Sequence, residues 1–336
     1  MSRYNVAVVG ASGVVGETLL SLLNERSFPV DQVYAIGSAR SAGDLVAYAK
    51  RSLEINDIET FDWSLVDIAF FSAGSQVSKQ WVPQATAAGC VCIDNTSAFR
   101  DDPEVPLVIP EVNVSALSHY ATKRIVANPN CSTIQMLVAL KPIHDRYGIQ
   151  RIDVSTYQSV SGAGKEGINA LSQQCVQMLQ GKPADNFCFD HPIAFNLLPK
   201  IDEYVEDGYT REEMKMVWES QKILEAPDLE VNATAVRVPV FFGHSESIYI
   251  ETEKPMELAD VQTLLAGAPG VQLLSDEYPM PVPHGSGRDD VYVGRLRRDR
   301  YHQHGLNLWV VADNVRKGAA LNSLQIAECL IEKGLK

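Results

Sequence analysis

The sequence lacks any apolar run long enough to cross a membrane, and its first residues enter a predicted strand without the apolar segment of a signal peptide. These absences disfavour a membrane protein and an exported one, so we expect a cytoplasmic protein with no membrane partner. Basic residues are also few, since 29 lysines and arginines accompany 42 aspartates and glutamates for a net charge of −13. A nucleic-acid partner requires a basic face, so this composition disfavours nucleic-acid binding.

The chain of 336 residues shows no internal repeat and no cysteine spacing typical of a metal site or a disulfide framework. Its length predicts two domains. We therefore expect a two-domain protein with free thiols and no bound metal. The six cysteines are Cys90, Cys92, Cys131, Cys175, Cys188 and Cys329.

The first 130 residues have the pattern of an α/β domain. A buried strand is predicted at residues 4–9, and a glycine-rich turn at residues 10–16 leads into a helix with one apolar face. Strands that alternate with crossovers predict a parallel, doubly wound sheet of the Rossmann type. The further strands are predicted at residues 33–36, 66–71, 91–93 and 125–126.

After residue 131 the pattern changes to long strands with alternating polar and apolar residues, which predicts a mixed or antiparallel sheet. Helices are predicted at residues 167–180 and 210–224, and a last helix at 315–333. The second half is therefore expected to form an α+β domain. Its strands are predicted at residues 151–157, 233–241, 247–251 and 290–293.

The turn at residues 10–16 reads Gly-x-x-Gly-x-x-Gly between a strand and a helix, the context of a dinucleotide site. A plain tight turn is the alternative. NAD sites usually end the second strand with an acidic residue, but here Ser38, Arg40 and Ser41 follow it without one. An arginine and two hydroxyls suit a 2′-phosphate, so we predict NADP(H). Alternatively, Arg40 is only a solvated loop charge.

The segment at residues 128–133, Asn-Pro-Asn-Cys-Ser-Thr, predicts a turn that opens a helix. Asn130 can cap the first amides, and the thiol of Cys131 would stand at the positive end of the helix dipole. Both features favour the thiolate, which is the nucleophilic form. A free cysteine is more often a small buried hydrophobe, which is the alternative interpretation.

Four further segments combine polar residues with turn chemistry, at residues 95–100, 157–164, 212–215 and 237–245. Together with residues 128–133 they make the chain resemble the aspartate-β-semialdehyde dehydrogenase family over essentially its whole length. The resemblance implies an NADP-binding Rossmann domain at residues 1–130 with 314–336. It also implies a catalytic and dimerisation domain at residues 131–313, and hence a homodimer.

The implied reaction is the reduction of L-aspartyl phosphate by NADPH to L-aspartate semialdehyde, with release of phosphate. This step leads to lysine, threonine, methionine, isoleucine and diaminopimelate. The nearest rival is an N-acetyl-γ-glutamyl-phosphate reductase, which shares the fold and the thiol chemistry. A rival of another class is a catalytically silent paralogue, but such a protein is expected to lack the nucleophile or the base.

The resemblance also implies three catalytic roles. Cys131 matches the nucleophile that forms a thioester, and Gln158 matches the residue that orients the intermediate. His244 matches the general acid/base, for which an ordinary pKa near 6.5 would be suitable. Arg237 and His244 are seven residues apart, so both can reach one site only if the strand between them ends or bends.

Substrate and cofactor contacts are implied in the same way. Arg237 matches the clamp on the substrate carboxylate and Glu212 the partner of the ammonium group. Arg100 and Lys215 match the phosphate-binding pair, with Asn130 assisting; Glu212 and Lys215 could instead be a surface ion pair on a helix. The cofactor residues are predicted to be Gly10, Ser12, Gly13, Val14, Val15, Ser38, Arg40, Ser41, Ser72, Ser161, Gly162 and Asn314.

Overall fold

The computed structural model describes residues 3–185 and 187–335, which form two compact units. The first unit contains residues 3–130 and 319–335, and the second contains residues 131–318. In the described part of the chain, no helix combines the length and the apolar character needed to span a bilayer. The six cysteines are free thiols.

A seven-stranded sheet organises the first unit, in the order β3-β4-β2-β1-β5-β6-β7. Neighbouring strands are parallel except β3 and β4, which form an antiparallel hairpin at the edge. β5 and β6 are buried along their whole length, as in a parallel sheet covered on both faces. The predicted Rossmann-type fold is confirmed. The strands are β1 (Tyr4–Val9), β2 (Val30–Gly37), β3 (Leu45–Tyr48), β4 (Arg51–Asp57), β5 (Ile68–Phe71), β6 (Val91–Asp94) and β7 (Ile125–Ala127).

The helices of this unit are α1 (Val14–Glu25), α2 (Ser75–Ala87) and the short α3 (Pro110–Asn113), with 3-10 turns at Trp63–Leu65 and Val114–Thr122. The buried leucines of α1 pack in the core against the sheet, since they repeat at helical spacing on one face. The β3–β4 hairpin was not predicted, although Leu53 and Ile55 alternate with polar residues along β4.

A six-stranded mixed sheet organises the second unit, in the order β11-β12-β13-β10-β8-β9. The pairs β8/β9 and β11/β12 are parallel, and the other pairs are antiparallel. The predicted α+β character is confirmed, although β11, β13 and one helix were not predicted. The strands are β8 (Ile149–Gln158), β9 (Glu230–Arg237), β10 (His244–Thr252), β11 (Val271–Leu274), β12 (Val291–Arg298) and β13 (Gly305–Ala312).

Helix α4 (Cys131–Tyr147) is the central helix of the second unit and is buried along most of its length. It packs against β8, β10, β12 and β13. The side chains of β10 that face this helix are buried in strict alternation, from His244 to Thr252. The remaining helices are α5 (Gly164–Leu179), α6 (Arg211–Ile223) and α7 (Leu258–Ala266), with 3-10 turns at Val160–Ala163 and Glu206–Gly208 and a wide π-type turn at Pro281–Gly285.

The chain rejoins the first unit at residue 319, five residues later than the expected boundary at 314. The reason is that Asn314 makes hydrogen bonds to Ser159, Ser161 and Gly243, all of the second unit. A wide π-type turn at Arg316–Ala320 precedes the last helix, α8 (Leu321–Glu332), which therefore begins six residues after the predicted start.

Candidate active site

The ends of three neighbouring strands bring together polar side chains from distant parts of the second unit. Gln158 is the last residue of β8 and Arg237 the last of β9, and they pair across the parallel strands. His244 is the first residue of β10, and its neighbour Ser245 pairs with Tyr157 of β8. Because β10 is antiparallel to β8, its beginning lies at the edge where β8 and β9 end. Three of the predicted residues therefore share one edge of the sheet.

The break between Arg237 and His244 that this arrangement requires is present. β9 ends at Arg237 and β10 begins at His244. Between them, Gly243 has a φ of +89°, and a Cβ at this position would lie 2.9 Å from the carbonyl oxygen of Pro281. Only glycine fits this left-handed, crowded turn without strain, and the turn allows both side chains to approach one point.

His244 is fully buried, and its ring is held by a backbone amide. The Ser159 N–H donates to Nδ1 over 3.1 Å, and the Ser159 hydroxyl oxygen lies 3.0 Å from the same nitrogen. Since an amide N–H can only donate, Nδ1 is the acceptor and the neutral ring carries its proton on Nε2. Nε2 has no hydrogen-bond partner in the described structure.

Burial, and next the positive charge of Arg237, lower the pKa of His244 from 6.5 to about 3. The ordinary pKa expected from the sequence is therefore wrong for the folded protein. At neutral pH the ring is uncharged and offers one N–H donor, from Nε2.

His244 also makes the stability of the fold depend on pH. The unfolded imidazole binds a proton below its ordinary pKa of 6.5, whereas the folded one stays neutral down to about pH 3. Acid therefore favours the unfolded chain between these values, by up to about 1.4 kcal/mol per pH unit for this group. We expect His244→Gln to lose less stability than the wild type on acidification from pH 6.5 to 4, by about 3 kcal/mol. Denaturant titrations of both proteins at several pH values measure this difference. An equal loss of unfolding free energy in the two proteins would contradict the buried neutral ring.

A buried hydrogen-bond network surrounds Ser159, the residue that holds the His244 ring. The Asn314 side-chain oxygen accepts from the Ser159 hydroxyl over 3.0 Å, the Ser161 hydroxyl over 3.1 Å and the Gly243 amide over 3.0 Å. The Asn314 amide group donates to the Ser161 hydroxyl over 2.9 Å. Ser161 and Asn314 were predicted as cofactor residues, and the structure places their side chains in this network. Ser159 had no assigned role, although it adjoins Gln158 in a segment that the sequence singled out.

Gly162 lies where Arg237 and His244 meet. A Cβ at this position would stand 2.8 Å from Arg237 Nη1 and 3.5 Å from His244 Nε2. This glycine was predicted as a cofactor residue; in the structure it also leaves the room that the guanidinium and the imidazole occupy.

Arg237 provides a buried positive charge beside His244. Its Nη1 donates to the carbonyl oxygen of Ser159 over 2.8 Å. Burial lowers the pKa of Arg237, while the charges of Glu212 and Cys131 oppose this shift. A planar guanidinium in such a place is suited to bind a carboxylate through two hydrogen bonds.

Glu212 and Lys215 form part of a chain of polar contacts and are not an exposed pair. Glu212 is buried; its Oε1 accepts from Gln158 over 3.3 Å and its Oε2 lies 3.0 Å from Lys215 Nζ. Lys215 Nζ also contacts Asp202 over 2.9 Å. Burial lowers the pKa of Lys215, but the two carboxylates outweigh it and raise the pKa above its usual value. Asp202 was not predicted, because nothing in the local sequence links it to a helix that begins at residue 211.

Cys131 is the first residue of α4, the position that the sequence predicted. A Cβ at Gly318 would lie 2.9 Å from the Cys131 Cβ, so the chain passes close to Cys131 at that point. The charge of Cys131 opposes the fall in the pKa of Arg237, so the two side chains lie within electrostatic range of each other. Arg237 in turn lies beside His244 at Gly162, in the same unit.

The glycine turn of the first unit has the shape that a pyrophosphate site requires. Gly10 has a φ of +83°, and a Cβ on Gly16 would lie 2.2 Å from the Gly10 carbonyl oxygen. Gly13 is the N-cap of α1, so the helix begins at Val14 with its amides at the end of β1. The glycines allow the turn to pack tightly between β1 and α1, and a dinucleotide fits the free amides at the start of the helix. Ser12 and Val15 lie in the same turn and first helical turn.

The other predicted residues of the first unit lie in the following places. Ser72 directly follows β5, and its hydroxyl donates to the Val9 carbonyl oxygen over 2.8 Å. Arg100 is buried and donates from Nη2 to the Asn95 carbonyl oxygen over 2.9 Å, and Asn130 is buried immediately before Cys131. The three residues predicted for the 2′-phosphate follow the end of β2, and Arg40 among them is exposed. They are Ser38, Arg40 and Ser41.

Comparisons with known proteins agree on one family. The family model described as semialdehyde dehydrogenase, NAD binding domain, matches residues 5–120. The model described as semialdehyde dehydrogenase, dimerisation domain, matches residues 140–317. Together the two models cover most of both units.

Individual relatives match over nearly their full length. The aspartate-semialdehyde dehydrogenase of Shewanella violacea is 58% identical over 331 residues, which covers 98% of each chain. The enzyme of the same name from Aquifex aeolicus is 50% identical and covers 99% of each chain. The crystal structure of aspartate semialdehyde dehydrogenase II from Vibrio cholerae, complexed with ASA, has a TM-score of 0.98 at 51% identity and covers 100% of each chain.

Proposed function

Because this chain belongs to the aspartate-semialdehyde dehydrogenase family, we propose that it reduces L-aspartyl-4-phosphate with NADPH to L-aspartate-4-semialdehyde and phosphate. The relationship makes it an oxidoreductase of amino-acid biosynthesis. We place it at the step that supplies lysine, threonine, methionine, isoleucine and diaminopimelate. The matched dimerisation domain supports a homodimer.

The observation that carries this proposal is the meeting of Gln158, Arg237 and His244 at one sheet edge, with Glu212 in contact with Gln158. Arg237 is suited to the α-carboxylate of an aspartyl group, and Glu212 to its ammonium group. The Vibrio cholerae relative is complexed with ASA, which supports the proposal that this chain binds the semialdehyde.

In this mechanism the Cys131 thiolate attacks the acyl carbon of the aspartyl phosphate. The bond to phosphate breaks, phosphate leaves with the electron pair, and a thioester forms on Cys131. NADPH, when bound, would supply the hydride that reduces this thioester; the C–S bond then breaks, the Cys131 thiolate returns and the semialdehyde is released. The glycine turn and the residues after β2 are proposed to hold it, with Ser38, Arg40 and Ser41 at the 2′-phosphate.

His244 contributes through Nε2. The neutral ring donates its N–H toward an oxygen that becomes negative in the tetrahedral states, as a preorganised hydrogen-bond donor. In the resting protein the general acid/base expected from the sequence is thus an uncharged donor. Gln158 orients the acyl group from the neighbouring strand, and Arg100, Lys215 and Asn130 are proposed to bind the phosphate.

The assay that tests the function runs the reaction in reverse, with aspartate semialdehyde, NADP and phosphate, and follows the appearance of NADPH. We expect turnover that requires all three. N-acetylglutamate semialdehyde in place of aspartate semialdehyde tests the rival reductase. Glu212 favours a free ammonium group, which an acetylated amine lacks, so we expect little turnover of the acetylated compound. The opposite preference would overturn the substrate assignment, and no turnover of either would favour the silent paralogue.

The cofactor assignment makes a separate prediction. We expect Arg40→Ala to raise the KM for NADPH about tenfold or more and to change kcat much less, because a guanidinium–phosphate contact stabilises binding in both ground and transition states. Lys50→Ala, which removes another exposed cation of the same unit, is the matched control and should leave the KM unchanged. Initial rates against NADPH concentration measure both parameters. A wild-type KM for NADPH in Arg40→Ala would show that Arg40 does not bind the cofactor.

A further inference from the structure

Behind Cys131 and His244 lies a second pair of side chains that the mechanism does not use. Gln135 follows Cys131 by four residues on α4, so the two share one face of the helix. Glu246 follows His244 by two residues on β10, so the two share one face of the strand. Helix α4 packs against β10, and the Gln135 amide is near enough to the Glu246 carboxyl to favour its charged form. The second pair therefore lies on the same faces as the first, one helical turn further along α4 and two residues further along β10.

The strand next to β10 adds a third polar residue to this layer. Glu246 pairs directly with Thr156 of β8, which is two residues before Gln158. The Gln158 amide donates to the Thr156 hydroxyl over 3.3 Å. On its other side Glu246 pairs with the apolar Val310 of β13. The layer of Gln135, Thr156 and Glu246 thus lies directly beneath the candidate active site.

Burying this layer costs free energy of folding, because its polar side chains have no access to solvent. Gln135, Thr156 and Glu246 each have zero exposed surface. The two oxygens of Glu246 and both amide atoms of Gln135 make no hydrogen bond within normal limits in the described structure. Burial raises the pKa of Glu246 well above its usual value, although Gln135 opposes the shift. Burial thus disfavours the carboxylate, and the neutral acid has one donor and one acceptor to offer an amide.

We propose that Glu246 and Gln135 form a neutral positioning pair, which fixes helix α4 on strand β10 and so sets where Cys131 stands relative to His244. This inference rests on the proposed function for its kinetic consequences. The physical reason is that a close-packed apolar helix interface tolerates small sliding shifts, whereas two buried polar groups that can pair with each other are stabilised only where they meet. A shift of about 1 Å at the nucleophile can cost about 10²-fold in rate.

The test compares two substitutions of Glu246 with one control. Glu246→Gln keeps a neutral side chain of the same shape with a donor and an acceptor, whereas Glu246→Leu removes both. Ile248→Val is the control, since Ile248 is buried on the same face of β10 but carries no polar group. For each protein, kcat, the KM values and the melting temperature are measured. The rate at which iodoacetamide alkylates Cys131 is followed against pH by mass spectrometry of its peptide.

We expect Glu246→Gln to keep kcat within about threefold of the wild type, with an unchanged alkylation profile. Glu246→Leu should fold but lose kcat by about 10²-fold, with KM values within about threefold and a displaced alkylation profile. Ile248→Val should lower the melting temperature without a change in kcat or profile. Full kcat in Glu246→Leu, or an equal loss in Glu246→Gln, would overturn the neutral positioning pair.

If Glu246→Leu does not fold, the double variant Gln135→Leu with Glu246→Leu serves in its place. Replacing both partners by apolar groups leaves no unsatisfied partner, so we expect this protein to fold and to show the same loss of kcat. Wild-type kcat in the folded double variant would overturn the proposal. The alkylation profile does not depend on the reaction: a displaced profile in an enzyme without semialdehyde activity would refute the proposed function and still support the pair.

Discussion

Replacing the sulfur of Cys131 by oxygen is expected to abolish turnover almost completely while the protein stays folded. An alcohol is a far poorer nucleophile than a thiolate, and the second step needs a thioester, which an ester does not replace at a comparable rate. We expect kcat of Cys131→Ser to fall by on the order of 10³-fold or more. The exchange is nearly isosteric and Cys131 is only partly buried, so the melting temperature should change little.

The matched control for this experiment is Cys175→Ser, since Cys175 is another partly buried thiol of the same unit. It lies on α5 and has no role in the proposed mechanism, so its substitution should leave kcat within about twofold. Both variants are assayed with aspartate semialdehyde, NADP and phosphate. A Cys131→Ser protein with full turnover would refute the thioester mechanism, and an inactive Cys175→Ser protein would show that the assay reports folding.

Loss of the His244 imidazole should have the second-largest effect. We expect His244→Gln to lower kcat by about 10²- to 10⁴-fold, because Nε2–H is the preorganised donor for the developing negative charge. The KM values should change less, since this hydrogen bond strengthens only in the transition state.

His144 offers a close control, because its Nδ1 also accepts a backbone amide, from Ile149 over 3.2 Å, but it lies near the end of α4. His144→Gln should keep kcat within about twofold.

Ser159→Ala adds a finer test: it removes the hydroxyl but retains the backbone N–H that fixes the tautomer. We expect this variant to lose less than about tenfold in kcat, and a loss as large as that of His244→Gln would contradict the role of the amide.

The positions of most elements could be predicted from local sequence patterns. The strand, glycine turn and helix at the start of the chain depend on short-range preferences, and the structure has them at Tyr4–Val9 and Val14–Glu25. The edge hairpin at residues 45–57 was missed, although β4 alternates Leu53 and Ile55 with polar residues, a signal that would have found this strand. Likewise, β13 has a clear alternation at Leu306, Leu308 and Val310, a signal that would have found it.

Some features of the candidate site could likewise be predicted from local sequence, and others could not. Cys131 at the start of a helix could be predicted, because turn and cap residues act on their immediate neighbours. The break between Arg237 and His244 could be anticipated from Pro239 and Gly243. The Asp202 partner of Lys215 and the packing of Gln135 of α4 over Glu246 could not, since these residues are distant in sequence and meet only in the folded unit.

The sequence by itself determined the residue types, their local turns and the order of strands and helices, because these depend on interactions within a few positions along the chain. The tertiary structure alone decided the chemistry of His244. Its tautomer is set by Ser159, 85 residues away, and its low pKa follows from complete burial beside Arg237. Desolvation and the field of a neighbouring charge exist only in the packed state, so no reading of the chain position by position could have supplied them.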